Sequence, residues 1–118
     1  MDVKKALILI AHGSRVEATQ KEMTSLVQKV QEATDALVLG CYMEIQSPNL
    51  SEAVAKAVDE GAQTISVLPL FVFRGRHMIE DIPSQVEECQ QKFYDREIKL
   101  LPYIGASEFF REAITKLL

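Results

Sequence analysis

Ala6-Leu7-Ile8-Leu9-Ile10-Ala11-His12-Gly13-Ser14-Arg15 is an apolar run that stops abruptly on a histidine followed by glycine, serine and arginine. The run is too short for an isolated helix and does not alternate, so both of its faces must be covered by other elements. That is the pattern of a central parallel strand, here one that delivers His12 to a cleft. Gly13 can take backbone angles closed to other residues, and Ser14 can cap a following helix. The turn therefore has the parts of a strand-to-helix corner with N–H groups aimed outward. His12 could equally be an ordinary loop histidine; its meaning depends on what converges on it.

Working outward, Val16 to Ala33 is mostly polar but carries Met23, Leu26, Val27 and Val30 as one helical apolar stripe. Ala36 to Met43 is a second apolar run, ending on Glu44. Gln46-Ser47-Pro48-Asn49 is turn chemistry, with Ser47 or Asn49 able to cap and Pro48 tolerated in a first helical turn. Leu50, Ala53, Val54, Ala57 and Val58 follow at helical spacing, and Gly61 supplies a left-handed stop. Thr64 to Leu70 reads as a third strand, which Pro69 permits because the strand is ending. Phe71 to Glu80 reads as a loop, and Asp81-Ile82-Pro83 as the start of a third helix buried through Ile82, Val86, Cys89 and Phe93. Glu97 to Leu101 is a short edge strand. After Gly105-Ala106-Ser107 comes a last helix with Phe110, Ala113, Ile114 and Leu117 on one side.

Consecutive strand-then-helix units imply an α/β fold: a single three-layer domain over residues 1–118, with a four-stranded parallel sheet and helices on both faces. The flavodoxin-like order 2-1-3-4 is expected, with ligands beyond the carboxyl ends of the strands. The length of 118 residues and 47% hydrophobic content fit one core. The net charge of −4 argues against nucleic acid as partner. Apolar runs are far shorter than the roughly 18 residues that span a bilayer, and the N-terminus lacks a cleavable signal pattern, so no membrane association and a cytoplasmic location are expected. Cys41 and Cys89 lack metal-ligand spacing and are expected as buried, reduced thiols.

In the order 2-1-3-4, strands two and three flank strand one. Glu44 and His77 then fall on either side of His12, and these are the only two histidines in the sequence. Two imidazoles and a carboxylate make a ligand set for a divalent cation such as cobalt, nickel, iron or zinc, with a coordination position left open. The plainer alternatives are a solvated or capping Glu44 and a surface His77. Phe71, Val72 and Phe73 are too apolar for an ordinary exposed loop and suit the wall of a pocket for a flat apolar ligand or a partner surface.

Taken together, Ala11-His12-Gly13-Ser14-Arg15, Tyr42-Met43-Glu44, Ser47-Pro48-Asn49-Leu50, Leu68-Pro69-Leu70-Phe71, Gly75-Arg76-His77 and Glu80-Asp81-Ile82-Pro83 resemble the small sirohydrochlorin cobaltochelatases, members of the class II tetrapyrrole chelatases. The likeness covers nearly the whole chain and keeps the order of the family's motifs. It implies ATP-independent insertion of a divalent metal, Co²⁺ foremost and Ni²⁺ or Fe²⁺ as alternatives, into sirohydrochlorin. It places the family's two active-site histidines on His12 and His77 and its metal-ligating glutamate on Glu44. Because larger relatives hold two copies of this unit, it also implies a homodimer enclosing the macrocycle. No histidine-rich loop is present, and no tightly bound cofactor is expected.

The chemistry fits these residue types. Neutral His12 and His77 can bind the metal and accept pyrrole protons, while Glu44 offsets the cation's charge. Activity should fall below about pH 6 to 6.5, where imidazoles ordinarily protonate. The macrocycle's carboxylates would meet Arg15, Arg74, Arg76 and the amides of Gly13 and Ser14, with Phe73 and Gly75 in the same substrate-binding loop. Two rivals remain open. A histidine phosphatase would need an arginine where Ala11 stands, and a non-catalytic metal or tetrapyrrole carrier would bind without turnover. A receiver domain fits poorly, because Pro69 and Leu70 occupy the phosphoacceptor position. The pathway served, cobalamin, siroheme or F430, is not legible in the sequence.

Overall fold

In a computed structural model, residues 2–118 are described, those at 2, 3 and 77 by backbone only. The elements are β1 (Asp2–Ala11), α1 (Glu17–Ala33), β2 (Ala36–Tyr42), α2 (Leu50–Asp59), β3 (Thr64–Pro69), α3 (Arg76–Lys92), β4 (Glu97–Leu100), a 3₁₀ turn (Ile104–Ala106) and α4 (Glu108–Lys116). All strand pairs are parallel and the order is β2-β1-β3-β4, the flavodoxin-like order expected for four strand-then-helix units.

β1 is central, and its side chains divide between two cores. Ile8 and Ile10 point with Cys41, Ile65 and Val67 towards α2 and α3, where Leu50, Val54, Ile82, Val86 and Cys89 complete the larger cluster. Leu9 faces the other way, with Val38 and Tyr42, towards Met23 of α1. The largest side chains of the larger cluster, Ile8, Ile65 and Ile82 among them, are essentially inaccessible. Each such aliphatic group stabilises the fold by about 1.5–3 kcal/mol relative to exposure. α1 closes on β2 over Gly40, where an added Cβ would sit 2.9 Å from Val27 and 3.1 Å from the Met23 sulfur. Both cysteines are buried and free, and burial pushes the Cys41 thiol up to about 12.

The structure corrects several local expectations. Phe71–Glu80 is not all loop: α3 begins at Arg76, with Gly75 as N-cap and Pro83 inside the helix. Burial of Met78, four residues before Ile82, extends the apolar stripe one turn upstream and overrides the start signal at Asp81-Ile82-Pro83. Pro48 lies before α2 rather than in its first turn and follows a cis peptide bond; Asn49 forms a capping box with Glu52. Gly61 does take a left-handed conformation at the end of α2, φ +96°. On α1, Leu26 of the expected stripe is 40% exposed. α4 forms where expected, with Ser107 accepting from the Phe109 N–H at 3.1 Å, but contributes no buried residue.

Candidate functional site

The carboxyl edge of the sheet is held by backbone bonds that prolong the ladder beyond the strands. The Met43 N–H donates to Ala11 O at 2.8 Å and the Glu44 N–H to His12 O at 3.2 Å, so β1 and β2 remain in register into the loops. On the other side of β1, the Leu70 N–H donates to Ile10 O at 2.8 Å. Strand ends one, two and three are thereby fixed side by side.

This register sets His12 beside Glu44. His12 Nε2 lies 2.7 Å from Glu44 Oε1, and the two side chains are 43% and 44% exposed. The other ring nitrogen, Nδ1, lies 3.3 Å from the Gly13 carbonyl oxygen. The pair is thus half open to solvent, with its direction set from both sides of the corner.

The corner depends on close backbone approach. Gly13 has φ +114°, and a Cβ there would collide with the Glu44 carbonyl. Ile45, immediately after Glu44, has φ 76°. A β-branched residue in that region is a strained arrangement that the surroundings must enforce. One tie is Gln46, whose Oε1 accepts from the Ser14 N–H at 2.6 Å; another is Gln85 of α3, whose Nε2 donates to Met43 O at 3.2 Å. Neither glutamine is signalled by local sequence, because each acts across tens of residues on a backbone atom. The Ser14 amide is therefore already engaged and is not the outward-facing donor that the sequence suggests. Nor does Ser14 cap α1: its Oγ accepts from the Val16 N–H at 3.0 Å, and Val16 is the N-cap.

The third expected ligand, His77, occupies the first turn of α3, after β3; its side chain lies outside the described residues. Among the described residues, no group of three His, Cys, Asp or Glu side chains could hold a metal, so the expected triad is represented there by the His12–Glu44 pair. Arg15, Arg74, Gly75 and Arg76 are exposed, with Arg76 Nε 3.7 Å from Glu80 Oε1. Phe73 is 84% exposed. The arrangement offers an imidazole nitrogen and a carboxylate to one point at the sheet edge.

Known proteins are similar to this chain in sequence and in fold. A sequence profile of the CbiX family matches residues 6–118. The sirohydrochlorin cobaltochelatase of Sulfolobus acidocaldarius is 34% identical over 86 residues, 73% of this chain and 69% of its own length. That of Methanocaldococcus jannaschii is 37% identical over 81 residues, 67% of this chain but 56% of its own. Among solved structures, a CbiX protein from Marinobacter aquaeolei superposes with a TM-score of 0.82 at 28% identity, covering 96% of this chain and 92% of that one. The sirohydrochlorin chelatase SirB from Bacillus subtilis subspecies spizizenii, in complex with cobalt, also gives 0.82, at 26% identity. It covers 96% of this chain but 49% of SirB, so this chain spans about half of that protein. The chain belongs to the CbiX family.

Proposed function

We propose that this protein inserts a divalent metal ion into sirohydrochlorin, with His12, Glu44 and His77 as the ligands that hold the ion before transfer. The observation that carries the proposal is the 2.7 Å approach of His12 Nε2 to Glu44 Oε1 at adjacent strand ends. Metal–nitrogen and metal–oxygen bonds of about 2.0–2.2 Å put two neighbouring donors roughly 3.0–3.4 Å apart. A cation can therefore replace the proton between these atoms with a shift of less than about 1 Å. The family membership and the names of the relatives support the same reading.

Insertion converts a divalent cation and a macrocycle with two pyrrole N–H groups into the metallated macrocycle and two protons. As the ion leaves for the four pyrrole nitrogens, the imidazoles and Glu44 regain free lone pairs within reach of those protons. The site thus supplies ligand and base in turn, without a nucleotide. Exposed Arg15, Arg74 and Arg76, the last beside Glu80, would meet the peripheral carboxylates, where charge-assisted hydrogen bonds favour arginine. The side-chain exposure of His12 and Glu44 supports a homodimer, because a second copy would roof a site that one chain leaves open. Co²⁺ is the proposed metal, and Ni²⁺ and Fe²⁺ suit the same donors.

The test is the change in sirohydrochlorin absorbance on adding purified protein with Co²⁺, Ni²⁺ or, without oxygen, Fe²⁺. Turnover above the spontaneous rate, lost in His12→Ala and His77→Ala while circular dichroism is unchanged, is the expected outcome. Binding without turnover would favour a carrier, and hydrolysis of an aryl phosphate would favour a phosphatase.

A further inference from the structure

The two arms that carry His12 and Glu44 meet again just past these residues. One runs on to Ser14 and the other to Gln46, and there the Ser14 N–H donates to Gln46 Oε1 at 2.6 Å. A backbone N–H can only donate, so the oxygen end of the carboxamide must face it. Between the two meeting points the arms nearly touch: a Cβ on Gly13 would collide with the Glu44 carbonyl and would lie 3.5 Å from Gln46 Oε1.

The Glu44 arm is sharply bent at this place. The Gln46 N–H donates to Glu44 O at 2.9 Å across Ile45, whose φ is 76°. That closes a γ-turn on Ile45, and the form with positive φ is the rare, strained one, the more so for a β-branched residue. Core packing does not enforce it, because Ile45 is 54% exposed and belongs to neither apolar cluster. Such strain persists only where neighbouring contacts hold it in place. Upstream, Met43 is fixed by its N–H on Ala11 O and by Gln85 Nε2 on its carbonyl, and the Glu44 N–H by His12 O. Downstream, the Ser47 hydroxyl and the Asn49 N–H both donate to Glu52 Oε1 and lead the chain into α2. The Gln46 side chain ties the bend itself across to the His12 arm.

We infer that Gln46 is a positioning residue for metal capture: its carboxamide clamps the strained bend to the His12 arm and so holds the Glu44 carboxylate where it can share an ion with His12 Nε2. This rests on the metal seat proposed above and deepens it. Without the clamp, Ile45 relaxes to negative φ, the peptide between Glu44 and Ile45 swings, and the Glu44 side chain leaves its 2.7 Å approach to His12. Gln46 acts on the backbone of a ligand and not on the ion. Partners that orient a metal ligand in this way govern about ten- to a hundredfold in metal affinity.

The test compares the wild type with Gln46→Met, which keeps the length but offers only a weak thioether acceptor, and with Gln46→Glu, whose carboxylate still accepts from Ser14. Each is read by Co²⁺ titration in visible absorption without tetrapyrrole, by hydrogen exchange of the Ser14 amide and by thermal melting. The methionine variant should stay folded, exchange Ser14 faster and bind Co²⁺ at least about tenfold more weakly, while the glutamate variant matches or exceeds the wild type in both. A methionine variant that frees the Ser14 amide, even one that melts lower, yet binds Co²⁺ as the wild type does would overturn the positioning role and leave the metal seat standing. So would weaker binding with the Ser14 amide still protected, or a glutamate variant that protects Ser14 but binds no better than methionine. Wild-type Co²⁺ binding left unchanged by His12→Ala would overturn seat and inference together. Should Gln46→Met fail to fold, reciprocity decides in the wild type, because a clamp that favours the ion is tightened by it. Co²⁺ should then slow exchange of the Ser14 amide, and an amide indifferent to Co²⁺ overturns the inference.

Discussion

Replacing Gly13 with alanine should damage fold and site together. At φ +114° a side chain is strained, and the new Cβ would drive into the Glu44 carbonyl. Backbone strain of this kind costs about 1–3 kcal/mol. Relief requires the corner to open, which weakens the Glu44 N–H to His12 O and Ser14 N–H to Gln46 Oε1 bonds at about 0.5–1.5 kcal/mol each. The sum is about 2–6 kcal/mol. With an unfolding entropy of about 2.1 cal/mol/K per residue, each kcal/mol lowers Tm by about 4 °C in a chain of this length, a fall of roughly 8–24 °C. Gly75→Ala is the control, since nothing lies within 4 Å of its Cβ position, and its melting temperature should fall by no more than about 4 °C. The assay is thermal unfolding by circular dichroism, paired with metal insertion, which should fall in Gly13→Ala because Glu44 moves. A Gly13→Ala protein melting within about 2 °C of the wild type would refute the close approach as the determinant of the corner.

Two further predictions concern pH. The Glu52 carboxyl is held below its ordinary value by the Asn49 backbone N–H and then by the Ser47 hydroxyl, so its contribution to folding is present above that ordinary value and lost as pH falls through the folded one. Wild type should therefore out-melt Glu52→Gln at pH 7, the gap closing below about pH 4.5; a constant gap in a series of melts would contradict the capping role. Burial pushes the Cys41 thiol from 9.0 up to about 12, so its stabilising contribution is full below pH 9 and is lost as pH rises towards 12. Native protein at pH 8 should accordingly resist iodoacetamide at Cys41, with labelling only on unfolding, as peptide mass analysis would read; rapid native labelling would contradict the burial.

How much of this was legible in the sequence differed by element. β1, β2 and β3 were, because unbroken apolar runs ending on His12 and Glu44, and a β-branched and apolar stretch ending at Pro69, leave little choice of role. Placing Glu44 beside His12 followed from strand order alone, and the ion-pair distance agrees. The start of α3 was hidden, since Gly75 caps without a side chain and Asp81-Ile82-Pro83 imitates a start; only burial of Met78 against the core decides it. Gln46 and Gln85 were invisible because they bond to backbone atoms of distant segments. The periodicity of α4 was plain, but no sequence pattern reveals that its own sheet does not receive it.

A crystal of the protein soaked in Co²⁺, read by anomalous scattering at the cobalt edge, bears most directly on the metal seat. The expected peak lies about 2.0–2.2 Å from His12 Nε2 and from a Glu44 carboxylate oxygen, with His77 as third ligand. Cobalt bound elsewhere, with His12 Nε2 and Glu44 Oε1 still paired at 2.7 Å, would contradict it.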